Sequence, residues 1–191
     1  MTKARTNADN ASADVQGVTA GTGLSGGGTS GTVTVSIDTA TTVDINTAQS
    51  LANKTLTAPI VVSPEERWTT SAASAGTTVD FDASTQGVLY YTGSATANWT
   101  LNVRGTSSTT LNSILAVGDS ITIAFLATNG ATARYQTAFQ IDGSAVTPKY
   151  SGGTAPASGN ASSIDAYQYT IVKTAATPTY TVFGSGPVKY A

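Results

Sequence analysis

The stretch "GDSITIAFLATNGATARYQTAFQIDG", residues 118–143, decides how this chain folds. Ile121, Ile123 and Phe125 alternate with smaller or polar neighbours, and a period of two places them on one face of a strand. Tyr135, Phe139 and Ile141 share one parity in the next segment and mark a second strand. Asn129-Gly130 and Asp142-Gly143 end the two strands, because both dipeptides accept the backbone that tight turns need.

The same pattern repeats on either side. "TTVDFDA" (77–83) turns Val79 and Phe81 inward, "QGVLYYT" (86–92) is a short dense strand, and "ANWTLNVR" (97–104) alternates Trp99, Leu101 and Val103. "SIDAYQYTIVK" (163–173) alternates Tyr167, Tyr169 and Ile171, and "TYTVFGS" (179–185) follows it. A long loop, "SGGTAPASGNASS" (151–163), separates the last strands from the rest. One segment breaks the pattern. In "SSTTLNSILAVGDS" (107–120), Leu111, Ile114 and Leu115 fall at i, i+3 and i+4 behind Ser and Thr caps, which predicts one short helix across 109–116. Short, closely spaced strands of this kind predict an antiparallel β-sandwich over residues 68–191.

Composition supports an all-β chain. Only 10% of the 191 residues are charged, against about 25% in ordinary soluble domains. Small polar residues replace them, among them 35 threonines, whose β-branched side chains suit strands. There is no Cys, so neither disulfides nor thiolate chemistry enter. There is no His, which excludes His-based triads and His metal ligands. The nine Lys and Arg are scattered singly, which argues against a nucleic-acid footprint. No apolar run reaches the about 18 residues of a membrane span, and "MTKARTNADNASADV" (1–15) has no apolar h-region, so neither a span nor a signal peptide is expected.

The first third is different. All fourteen aromatic residues lie at or beyond Trp68, and aromatics supply much of the buried area of a core. Residues 1–14 read as a flexible attachment arm, 15–67 as a thin Gly/Thr-rich shaft, and 68–191 as the domain with its own core. "GLSGGGTSGTVTVSI" (23–37) predicts a small hairpin, with its turn over Gly26 to Gly31 and Val33, Val35 and Ile37 on one face. Leu51, Leu56, Ile60 and Val62 are sparse anchors further on.

Few residues suggest chemistry. Asp80 and Asp82 flank Phe81, so they share the opposite strand face and are the candidates for binding Ca²⁺, set against a solvated strand edge. Glu65 and Glu66 start a turn in "SPEER". "GTGLSGGG" (21–28) lacks the Lys-Ser/Thr ending of a P-loop. "GLSGG" around Ser25 has nucleophile-elbow spacing, yet no histidine can complete a triad. No catalytic residue and no cofactor are expected. Tyr150, Tyr167 and Tyr169, with Tyr90, Tyr91 and Tyr135, are candidates for an adhesion surface, set against ordinary core positions.

The segments "ADVQGVTAGTGLSGGGTSGTVTVSIDT" and "AQSLANKTLTAPIV" resemble the shaft segments of tailed-phage fibre and appendage proteins. The run from "VGDSITIAFLATNGATARYQTAFQIDG" through "SSIDAYQYTIVKTAATPTYTVFGS" resembles a β-rich module of marine tailed-phage virion proteins. The resemblance implies a structural virion protein on the particle surface, commonly homotrimeric, with a jelly-roll-like C-terminal sandwich and no catalytic residues. The chain is short for a long fibre, which favours a small fibre, a head-decorating fibre or a tail appendage. A tailspike depolymerase is the rival, against which eleven scattered acidic residues weigh.

A trimer also answers a physical difficulty. One copy of residues 15–62 cannot offset a backbone entropy of about 1–2 kcal/mol per residue. Three copies can bury Leu24, Val33, Val35, Ile37, Leu51 and Leu56 against one another and cover strand edges. The expected partners are therefore the chain itself, other virion proteins through residues 1–14, and a host-surface glycan or protein. Nucleic acid and membrane insertion are not expected.

Overall fold

The computed structural model describes residues 17–29, 32–39, 42, 48 and 56–191. The arm 1–14 and Leu51 lie outside the described residues. The chain forms two compact units, Met1–Ile60 and Val61–Ala191. The division falls inside the stretch "APIVVSPEERW" (58–68), ahead of the first aromatic residue.

The first unit contains a three-stranded antiparallel sheet, ordered β1 (Val18–Thr19), β2 (Leu24–Gly28), β3 (Val35–Ile37). The glycine run is not the hairpin turn its composition predicts. Gly26, Gly27 and Gly28 are inside β2, with Gly26 opposite Val35, Gly27 opposite Thr19 and Gly28 opposite Val18. Gly26 and Gly27 have φ of 98° and 120°. A side chain at Gly26 would strike the Thr34 carbonyl, and one at Gly27 the Val18 carbonyl. The glycines are there for close strand approach, not for reversal.

The second unit is built from strands β4 (Trp68–Ser74), β5 (Thr78–Asp82), β6 (Val88–Gly93), β7 (Trp99–Arg104), β8 (Ser120–Asn129), β9 (Gln136–Ile141), β10 (Ser144–Ala145), β11 (Lys149–Tyr150), β12 (Ser163–Ala175) and β13 (Thr179–Tyr190). They form a four-stranded sheet, β10-β9-β7-β5, and a six-stranded sheet, β11-β13-β12-β8-β6-β4. The chain is all-β, with one short α-helix, α1 (Leu111–Ile114), and one 3-10 turn (Ser151–Gly153) among the described residues. That helix falls inside the predicted span 109–116, and the Thr110 side chain accepts from the Ser113 N–H as its N-cap.

The expected antiparallel pairing is corrected. Successive strands alternate between the two sheets, so β4, β6 and β8 are parallel neighbours in one and β5, β7 and β9 in the other. Parallel neighbours need a crossover connection, and here each crossover is a strand of the facing sheet. The long β8, β12 and β13 pair antiparallel.

Inward residues of both sheets meet in one core. Trp99 of β7 stands edge-on to Phe125 of β8 (5.8 Å between centroids) and to Tyr167 of β12 (5.7 Å). Phe139 of β9 packs on Tyr169 of β12 at 4.6 Å. Val79, Phe81, Leu101, Val103, Ile123 and Ile171 are buried around them, on the parity the alternation predicts. Ile121 lies at its margin, only partly buried, and Tyr135 is likewise only partly buried.

Candidate functional site

Asp80 and Asp82 share the outer face of β5, as predicted, but they are committed to a cation of the chain itself. Arg104 on neighbouring β7 donates from one terminal nitrogen to Asp80 Oδ2 (2.8 Å) and from Nε to Asp82 Oδ1 (2.6 Å). Asn102 Nδ2 adds a bond to Asp80 Oδ1 at 2.8 Å. The parallel register makes this so, because Asp80 pairs with Asn102 and Asp82 with Arg104. The bond to Asp82 is the main cause that raises the Arg104 pKa above its ordinary value. Among the described residues no group of three metal-ligating side chains forms.

Tyr167 and Tyr169 are fully buried, which removes them from any adhesion surface. They share the parity of Ile171, and that parity faces the core. Burial, the largest cause, drives both hydroxyls well above the ordinary tyrosine pKa. Tyr150 is half-buried and rests edge-on against Tyr169 at 6.4 Å. Tyr91 packs edge-on to Phe125, while Tyr90 sits on the opposite side of β6.

Two charged residues of β12 also point inward. Asp165 is fully buried and accepts from Asn129 Nδ2, the Asn160 N–H and Asn160 Nδ2. Lys173 donates from Nζ to the carbonyls of Asn112 and Leu115 at 2.9 and 2.7 Å. These groups are satisfied structural polar contacts. Their odd numbers, matching Tyr167 and Ile171, are the sequence signal that places them inside.

The outer face of the six-stranded sheet carries a feature that no local motif announces. A groove of about 470 Å³ crosses β4, β6, β8, β12 and β13. Its sides are Trp68, Tyr90, Leu126, Ile164, Val188 and Tyr190. Trp68 and Tyr190 remain 54% and 57% exposed. The five strands come from distant parts of the chain, so only the fold brings these residues together.

The first unit presents a second apolar face. Leu24 lies directly opposite Ile37, and Val35 follows two residues before Ile37 on the same side. Their exposures are 45% for Leu24, 58% for Ile37 and 40% for Val35. Val33 is partly buried beside Gly28, and Leu56 is exposed. No helix among the described residues is long and apolar enough to cross a membrane.

No family model, curated protein or solved structure matches this chain.

Proposed function

We propose that this chain is a structural virion protein of a tailed bacteriophage. It forms a small trimeric fibre or appendage on the particle surface, held by its N-terminal arm and displaying its C-terminal sandwich. The observation that carries the reading is the small sheet, whose Leu24, Val35 and Ile37 are apolar, on one face, and exposed in the single chain. Such a face is stable in water when copies of it meet. The glycines of β2 let its neighbours approach closely, and the resemblance of its flanking segments to phage shaft sequences points the same way. Light scattering on the purified protein should give three times the 19.2 kDa chain mass. A monomer at micromolar concentration would overturn the reading.

Placement on the head as a decorating fibre is the second reading. Imaging of virions labelled on this protein separates head from tail. A polysaccharide depolymerase fits less well, since the carboxylate pair Asp80 and Asp82 is already bound to Arg104.

A further inference from the structure

Resting on the trimer reading, we propose that the outer face of the six-stranded sheet is the surface through which the second unit packs against further copies of this chain. The two outer faces of the unit differ in charge. That of the four-stranded sheet carries Asp80, Asp82 and Arg104. On the other sheet, the outward positions of β4, β6, β8, β12 and β13 hold no charged residue. Asp165 and Lys173 are on the inward parity, so the whole charge of β12 is turned away from this face.

Lys189, exposed on β13 between Val188 and Tyr190, pairs with Asp165 and so shares the other parity, and further charges stand around the margin. Lys149 is at the β11 edge, opposite Phe183, and Glu66 and Arg67 border a depression beside Val88 and Gln168. An apolar, aromatic-rich centre without charge and a charged rim is the anatomy of a protein interface. The exposed Trp68, Phe183, Val188 and Tyr190 all sit on this face, with Ala124 and Ala166 as its low floor.

The occupant that fits is another copy. An uncharged apolar face meets the same face of other copies with no like-charge repulsion and no stranded charge, whereas the opposite face carries a net excess of carboxylate in Asp80, Asp82 and Arg104. Its size is also sufficient. Five strands about 4.8 Å apart, averaging about ten residues of about 3.4 Å, present on the order of 800 Å². A stable interface takes roughly that area from each partner.

The chain has no cysteine, so single-cysteine variants of the full-length protein report one position each. Gln168→Cys and Val188→Cys probe the proposed face, and Ala138→Cys probes the outer face of the four-stranded sheet. Each variant is sized by light scattering and treated with a bulky maleimide, with the denatured protein as reference. The expected result is a trimer mass throughout, with both probes on the face labelled at least about tenfold more slowly than Ala138→Cys, because labelling there waits for opening. A trimer mass with all three labelled equally fast would overturn this proposal alone, leaving the face to a partner other than this chain. A monomer mass for the unsubstituted protein would overturn both the trimer reading and this one.

Discussion

Asp142 caps helix α1 from another part of the fold, its Oδ1 accepting the Leu111 N–H at 2.7 Å. Its second oxygen takes the Asn112 N–H at 3.1 Å, and Lys173 holds carbonyls at the other end. A four-residue helix cannot sustain itself, so these groups, Asp142 from the β9–β10 turn and Lys173 from β12, fix it. Asp142 also has φ of 50°, which asparagine accepts and alanine resists. Asp142→Ala should cost about 2–4 kcal/mol, the sum of lost capping and backbone strain. Asp142→Asn should cost less, about 1–2 kcal/mol, since it keeps the backbone conformation and one acceptor while its NH₂ cannot accept the second N–H. Urea unfolding midpoints at constant slope measure both, and equal losses would refute the conformational share.

Removing the cation between the two carboxylates has a smaller, salt-dependent effect. Arg104 and its partners are partly exposed, with side-chain accessibilities of 26%, 40% and 31% for Arg104, Asp80 and Asp82. Pairs of this kind contribute at most about 1 kcal/mol each. Arg104→Met should therefore lower stability by about 1 kcal/mol at low salt, and by less at high salt as screening weakens the repulsion left between Asp80 and Asp82. Chelator should leave the melting temperature of the unsubstituted protein unchanged, because its own guanidinium already bridges both carboxylates. A chelator-induced drop would point instead to a bound cation at Asp80 and Asp82.

How much of this was legible in the sequence depends on what each feature needs. Alternation is a property of a single strand, so Phe81, Trp99, Phe125 and Ile171 could be placed inside without knowing their neighbours. The same rule, applied to Tyr167 and Tyr169, puts them with Ile171 in the core, so their reading as an adhesion surface conflicts with their own parity. Pairing is a property of two strands. The three residues between Ser74 and Thr78 could close a hairpin or cross to a facing sheet, and nothing in their composition decides. Gly26 to Gly28 misled because glycine serves both tight turns and close strand contact, and only the carbonyls of Thr34 and Val18 show which applies. The groove between Trp68 and Tyr190 requires five strands to be in place first.

Alkaline pH should unfold the protein. Burial raises the pKa of Tyr167 and Tyr169, so both stay protonated in the fold where an unfolded tyrosine ionises near about 10. Below that pH both states keep these protons and the contribution is constant. Above it the unfolded chain has released protons that the folded chain retains, so stability falls as pH rises, by about 1.4 kcal/mol per pH unit for each tyrosine. Tyr167→Phe should remove one tyrosine's share of that slope. Near-ultraviolet tyrosinate absorbance followed alongside circular dichroism provides the check. Full ionisation of every tyrosine with the fold intact would contradict the buried assignment.

The small sheet offers the sharpest test of assembly. Val35 lies opposite Gly26, on the face that also holds Leu24 and Ile37. In the proposed trimer this face meets its copies, so Val35→Asp places three carboxylates together in an apolar contact, at a cost of several kcal/mol. In an isolated chain the same substitution sits at a position 40% exposed and should cost little. The two situations therefore predict opposite outcomes. Assembly should weaken, with the light-scattering mass dropping below three chains at micromolar concentration. The core of the second unit has its own buried aromatic contacts, among them Trp99 with Phe125, so its near-ultraviolet circular dichroism should remain. Raising ionic strength should restore little, because the cost is mainly desolvation, whereas pH below about 4 should restore part of it by neutralising the aspartates. A Val35→Asp protein that keeps the full trimer mass at neutral pH, when the Gln168→Cys and Val188→Cys probes label as fast as Ala138→Cys and so exclude the second unit as the contact, would show that Val35 faces water, and the face assignment would fail.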